Sequence, residues 1–216
     1  MGKKAKLDVN GEKKAKKEPR RKTEKPSRGG YFVKRGLAFI VDWYISTVLI
    51  NFAIGITSGF FSEGITIVES FADYTLGQTF IMVLVVFLVS LFYYVYVPLK
   101  VWRGQTLMLH VLQLKVMSID GQELDLKHTL LRFCVGCLIL EGAFYSCTTI
   151  SIDALITKFF VENADLVYTL IGGPLMIASI VSLFTCFLDK EHSRLFHDRL
   201  AKSEVIDLYA GGQGAL

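Results

Sequence analysis

Charged residues are scarce in most of this chain, and that scarcity indicates the class of protein. Only 20% of the 216 residues are charged, whereas 52% are hydrophobic and the mean hydropathy is +0.43. Several apolar runs reach about 20 residues, the length at which an α-helix spans the hydrocarbon core of a bilayer. Composition and run length together place the chain among integral membrane proteins.

The sequence also lacks the motifs of several enzyme and cofactor classes. It has no Gly-rich phosphate loop, no zinc-protease helix and no Ser, His and Asp in a recognised catalytic order. The four cysteines lie in or beside apolar runs, which does not favour a disulfide framework. Cys134 and Cys137 form a Cys-x-x-Cys without a second pair, so a contact between helices is favoured over metal or redox chemistry. We therefore expect no enzyme activity, no cofactor and no metal.

Basic residues are concentrated at the N-terminus. Residues 1–35 hold 14 Lys or Arg and 4 Asp or Glu, so the rest of a chain of net charge +4 carries −6. Because residues 1–30 contain almost no large apolar side chains, we expect a disordered cytoplasmic tail. This tail is either a solvated segment that fixes topology or one that contacts anionic lipid headgroups. Nucleic-acid binding is the least favoured interpretation.

Four apolar runs predict transmembrane spans at about 37–56, 78–98, 133–152 and 166–188. The loops at 57–77 and 153–165 contain one Lys between them, whereas the segments on the other side are rich in Lys and Arg. The positive-inside rule therefore predicts a multi-pass cell-membrane protein with both termini in the cytoplasm. The expected fold is an all-α bundle of four transmembrane helices.

The segment between the second and third predicted spans has a different periodicity. Leu112, Leu114 and Val116 alternate with polar residues, and Asp120-Gly121 follows. Alternation followed by Asp-Gly predicts a small cytoplasmic β-hairpin at about 111–126. An interfacial amphipathic helix at 105–117 is the alternative. Asp125 is positioned to cap the helix that follows.

The first apolar run contains an acid where lipid would penalise it. Arg35, Ala38, Asp42, Ser46, Leu49 and Ala53 are predicted to share one helical face. An acid within a spanning helix normally faces protein or water and has a partner. Asp42 could bind and release a proton or a small cation. Alternatively, it could form a structural ion pair with Arg35 or Arg132.

Glu141 and Asp198 are the other two acids of interest. Glu141 lies near the middle of the third run, with no Lys or Arg within one turn. It could carry an activity, or it could be a neutral acid that is hydrogen-bonded to Tyr145 or to a backbone carbonyl. Asp198 is predicted at the cytoplasmic surface, as a latch to Arg103 or Arg132 or as a gate at the inner mouth of a pathway.

Three separated segments together resemble the RDD family of small membrane proteins. Arg35 and Asp42 match its first-helix pattern. Gly104-Gln105-Thr106 and Arg132 match its loop and the start of the next span, and 195–205 resembles its closing pattern. The resemblance covers about 31–207 and leaves 208–216 as a flexible C-terminal tail.

The resemblance implies a membrane function without defining its ligand. It implies transport of a small ligand, or exchange of cations for protons, which we would assign to Asp42 and Glu141. The alternative is a non-catalytic scaffold or accessory subunit that binds another membrane protein or lipid. A homo-oligomer is also compatible with a domain of this size.

Overall fold

The computed structural model describes residues 28–61, 68–189 and 193–208, most of which are helical. Most of the predicted N-terminal tail and residues 209–216 lie outside this part of the chain. Three described helical stretches are long and apolar enough to cross a membrane: Gly29–Gly59, Leu76–Val101 and Val161–Leu188. The mostly helical class is therefore confirmed, whereas the third predicted span, 133–152, is not among these stretches.

Helix α1 (Arg28–Gly59) buries one line of side chains along its length. These residues recur every three or four positions: Arg35, Ala38, Asp42, Ser46, Ile50, Ile54 and Ser58. The predicted face is thus confirmed as far as Ser46, but Leu49 is 40% exposed. Steps of four residues drift around a helix of about 3.6 residues per turn, which moves the buried line from Leu49 to Ile50.

Helix α2 (Leu76–Leu91) packs along α1 and continues as a π-helical segment, Phe92–Val101. A capping box starts α2, because the Thr75 hydroxyl accepts from Gln78 N and Gln78 Oε1 accepts from Thr75 N. Helix α3 (Leu107–Val111) follows after a short loop and packs against α1.

The third predicted span is two helices with a break between them. Helix α4 (Leu126–Leu130) continues as a π-helical segment, Leu131–Leu140, and α5 (Ser146–Phe159) resumes after one 3₁₀ turn. The predicted cap at Asp125 is confirmed by the 2.8 Å bond from His128 N to its Oδ1. The helix breaks at Glu141, whose backbone leaves the helical conformation and whose side chain is hydrogen-bonded to Ser182 and His197.

The predicted β-hairpin at 111–126 is wrong, because its first strand pairs with a distant segment of the chain. Strand β1 (Leu114–Ser118) pairs with β2 (Ser203–Asp207), antiparallel, with Val116 opposite Val205. Alternation correctly indicated a strand with one buried face, but it does not specify which strand pairs with it. Asp120-Gly121 does form a turn, since Gly121 N donates to Ser118 O, but the residues directly after it do not form a strand. The helical alternative at 105–117 is limited to the five residues of α3.

The last helices of the domain pack against the π-helical segment Leu131–Leu140. Helix α6 (Ala164–Val167) leads through Tyr168–Gly172 into α7 (Gly173–Leu188), and the short α8 (Phe196–Leu200) packs directly on Leu131–Leu140. A Cβ added to Gly136 would lie 2.4 Å from His197 Cβ. A residue without a side chain is therefore needed where α8 docks.

Replacing Gly136 tests this docking. We expect Gly136→Ala to lower the free energy of unfolding by about 1–3 kcal/mol, because the added methyl overlaps α8. Chemical unfolding of the purified protein in mild detergent measures this change. Gly36→Ala is the matched control, because a Cβ there meets nothing within 4 Å. It should leave stability unchanged or raise it, and equal losses in both variants would contradict close docking at Gly136.

Candidate functional site

A cavity of about 260 Å³ lies among α1, the π-helical segments Phe92–Val101 and Leu131–Leu140, the sheet and α7. Four of the five residues singled out from the sequence line it, namely Arg35, Asp42, Arg132 and Glu141. The fifth, Asp198, is bonded directly to two of these residues. Both π-helical segments border the cavity, and widened helical turns of this kind are frequent at functional sites.

Asp198 is the centre of the ionic network. Its carboxylate is fully buried and accepts hydrogen bonds from Arg35, from Arg132 at 2.8 Å and from Leu195 N at 3.1 Å. Arg35 also donates to the Ser193 carbonyl at 2.6 Å. Burial alone would raise the pKa of Asp198, but the neighbouring cations lower it well below its usual range. The carboxylate is therefore ionised and joins α1, the π-helical segment Leu131–Leu140 and α8.

His197 links this carboxylate to the second acid. Its Nδ1 lies 2.7 Å from Glu141 Oε2, and its Nε2 lies 3.3 Å from Asp198 Oδ1 and 3.1 Å from Arg132. Burial lowers the pKa of His197, yet the two carboxylates raise it overall. When protonated, the ring donates to both acids; when neutral, its Nε2 accepts from Arg132.

Glu141 has partners that its position in the sequence did not indicate. Its Oε1 accepts from the Ser182 hydroxyl at 2.5 Å and from His197 N at 3.2 Å. Ser182 in turn accepts from Phe196 N at 2.8 Å. The predicted bond to Tyr145 or to a backbone carbonyl is not what the structure has. The signal available in the sequence for this contact was a row of small residues at helical spacing on α7, namely Ser179, Ser182 and Cys186, which the structure buries.

Asp42 is held by neutral donors. Its oxygens accept from the Tyr93 hydroxyl, from Thr106 Oγ1 at 2.5 Å and from Met108 N at 3.0 Å. The ion pair considered with Arg35 or Arg132 does not form, because both guanidinium groups bind Asp198. Asp42 therefore ties α1 to the π-helical segment Phe92–Val101 and to the start of α3.

The loop motif Gly104-Gln105-Thr106 explains how these parts are aligned. Gly104 has φ +82°, and a Cβ there would lie 2.4 Å from the Val116 carbonyl oxygen, so the backbone of β1 can approach closely only beside glycine. Gln105 donates to the Leu114 carbonyl at 2.8 Å, and Thr106 binds Asp42. This loop therefore connects the sheet to the acid on α1.

Arg132 keeps one donor unused. Its terminal nitrogen binds Asp198 and His197, but its Nε is buried and has no hydrogen-bond partner among the described residues. Arg103, the other candidate for the latch, lies 3.8 Å from the exposed Glu123 instead. Arg132 lines the cavity, and its Nε–H has no acceptor among the described residues.

The rest of the wall is largely aromatic. Tyr94 stacks on Phe133 at 5.7 Å and meets Tyr145 edge-on at 5.6 Å, and Phe39 meets Phe144 and Tyr145 at 6.2 and 6.0 Å. Cys134 and Cys137 are both free thiols. No group of three or more potential metal ligands occurs within 28–61, 68–189 and 193–208. The cavity wall therefore combines ionic groups with aromatic rings.

Three long apolar helices around a buried ionic network define a helical membrane protein. Residues 30–202 match the model of the RDD family, and the chain belongs to that family. The resemblance found in the sequence is therefore confirmed. No curated protein and no solved structure matches the chain significantly.

Neutralising Asp198 tests the network. We expect Asp198→Asn to lower the free energy of unfolding by about 3–5 kcal/mol, because it leaves the buried guanidinium of Arg35 and the partly buried one of Arg132 without the carboxylate that binds both. Unfolding in mild detergent measures the loss. Glu123→Gln removes the carboxylate of an exposed pair and should cost no more than about 1 kcal/mol. Similar losses in the two variants would show that burial of the network contributes nothing.

The pH dependence of stability tests His197. Its pKa is raised in the folded protein, so its contribution is complete below about pH 6.5 and is lost as the pH rises through the folded pKa. The lowered pKa of Asp198 has the opposite effect on stability. Its contribution is present at neutral pH and is lost only as the pH falls below about 4.

We expect the melting temperature to decline from neutral to alkaline pH, and His197→Asn to flatten that decline. The measurement is thermal unfolding in detergent between pH 5 and 9. His128→Gln, at an exposed position, should keep the wild-type profile. A profile that is the same for His197→Asn and wild type would rule out His197 as the titrating group.

Proposed function

We propose that this chain is a membrane transport module that holds a small ligand in the cavity described above. The observation that carries the proposal is that one cavity brings Arg132, His197, Asp42 and Glu141 together inside an apolar helical domain. Ionisable side chains are costly within a membrane and are typical of ligand and proton pathways. Membership of the RDD family is compatible with this function.

The proposed topology has four membrane passages with both termini in the cytoplasm of a cell-membrane protein. Helix α5 has 14 residues and is about 21 Å long, too short to cross about 30 Å of hydrocarbon alone. We infer that α4, its π-helical extension and α5 cross together as one broken helix. Broken helices at binding sites occur in many transporters, where the break supplies polar groups to the ligand.

Exchange of cations for protons is the second candidate. Its support is the presence of Asp42 and Glu141 on the cavity wall. Both carboxylates already accept hydrogen bonds from fixed donors, so a cation could bind only after those donors rotate away. This requirement makes exchange less favoured than binding of a separate ligand in the open part of the cavity.

A scaffold or accessory subunit remains the non-transport alternative. It is favoured because Asp42, Glu141 and Asp198 all accept hydrogen bonds from groups of the same chain, as carboxylates in a purely structural network would. Under this proposal the chain is not an enzyme, its partners are lipid and another membrane protein or a second copy, and its basic tail contacts anionic headgroups.

Proton movement in reconstituted vesicles tests transport through Asp42. Vesicles that contain a pH-sensitive dye receive a pulse of sodium or potassium, and the luminal pH is recorded. Exchange of cations for protons predicts a pH change with the wild-type protein and none with Asp42→Asn, because an amide of the same shape cannot carry a proton.

Asp165→Asn is the matched control for this experiment, since Asp165 is an exposed acid in the connection before α7. It should retain the wild-type response. A wild-type signal equal to that of empty vesicles would contradict cation exchange. A full response in Asp42→Asn would remove Asp42 from the pathway.

A further inference from the structure

We propose that the cavity binds an anionic amphiphile from the bilayer, with its acid group on Arg132 and its alkyl chain along the aromatic wall. The inference rests on the proposed function in that it names the chemical class of the ligand for the same cavity. It concerns binding, which can be measured whether or not the ligand is then transported.

The polar end of the cavity fits an anionic oxygen. Arg132 Nε is buried without a hydrogen-bond partner among the described residues, and an unmade bond of this kind is unfavourable. Arg35 is different, because its terminal nitrogens bind Ser193 and Asp198. A carboxylate or phosphate oxygen would give Arg132 a second charge-assisted bond, in addition to the one to Asp198.

The charges around Arg132 agree with this assignment. Two guanidinium groups and His197 face the carboxylates of Asp198 and Glu141, so the cluster has a net charge of +1 when His197 is protonated. Asp42 has no ion-pair partner within 4 Å among the described residues, and its oxygens are covered by neutral donors. Asp42 also lines the cavity, so an additional anion meets positive charge only beside Arg132 and His197.

The apolar end of the cavity is continuous with the outer surface of the helices. Phe39 on α1 and Leu183 and Phe187 on α7 line the cavity, yet they are 37%, 45% and 52% exposed. Both helices belong to candidate membrane spans, so this exposed surface faces lipid. Phe32 on α1 stacks on Phe187 on α7 at 4.8 Å, so a ligand with an alkyl chain would enter from the bilayer beside this ring pair, whereas a fully water-soluble anion would meet an apolar surface.

Gly36 marks this opening. It lines the cavity, it is exposed, and a Cβ built on it meets no atom within 4 Å. A larger side chain at this position would extend into open space and narrow the entrance without disturbing the fold. Gly29, on the same helix, also has open space around it but does not line the cavity. The two glycines provide a matched pair for an occlusion experiment.

Ligand binding to the purified full chain tests the proposal. Native mass spectrometry in detergent would measure retention of oleate, phosphatidylglycerol, phosphatidylcholine and inorganic phosphate. We expect retention of one or both anionic amphiphiles. Gly36→Leu and Arg132→Gln should each weaken binding by roughly tenfold or more, whereas Gly29→Leu should bind as the wild type does. Gly36→Leu keeps the test valid if Arg132→Gln fails to fold.

The competing ligands distinguish the sources. If only oleate is retained, the ligand is a single-chain acid. If phosphatidylglycerol is retained, the ligand is a bilayer phospholipid. Both results support the proposal. Equal retention of phosphatidylcholine or of inorganic phosphate would overturn it, as would unchanged binding in Gly36→Leu. Ion-driven flux without amphiphile binding would overturn only this inference, and binding without flux would leave it standing while removing transport.

Discussion

The buried carboxylate of Asp198 is the contact on which the rest of the structure depends. It binds a guanidinium from α1 and another from the third helical region, and it lies in the short helix that follows α7. Segments that are 163 and 66 residues away in sequence therefore meet at one side chain. Buried charges persist only when each is paired and hydrogen-bonded, so these helices can pack only in the arrangement that satisfies all three charges.

The cavity is a consequence of that arrangement. Ion pairs join α1, Leu131–Leu140 and α8, while aromatic rings from α1, the segment Phe92–Val101 and the broken helix pack beside them. The wall consequently changes from guanidinium and imidazole groups near Arg132 to rings that reach the lipid-facing surface. One space thus offers a charged and an apolar environment within a single small domain.

Much of the fold and some of the site could be predicted from the sequence. Hydropathy located the three long helices, and the cost of an acid in lipid identified Asp42 and Glu141 as residues that must be hidden. The partners of these acids could not be predicted. Glu141 is bonded to Ser182 and His197, which lie 41 and 56 residues away, and no local periodicity connects them.

The sequence by itself determined the membrane class, the family, the positions of the long apolar helices and the acids that require partners. These properties depend on composition and on spacing over a few turns of one helix. Only the tertiary structure decided that the third region breaks at Glu141, that β1 pairs with β2, and that Asp198 rather than Asp42 receives both guanidinium groups. Each of these features is set by a bond between distant segments, whose geometry exists only once the helices have packed.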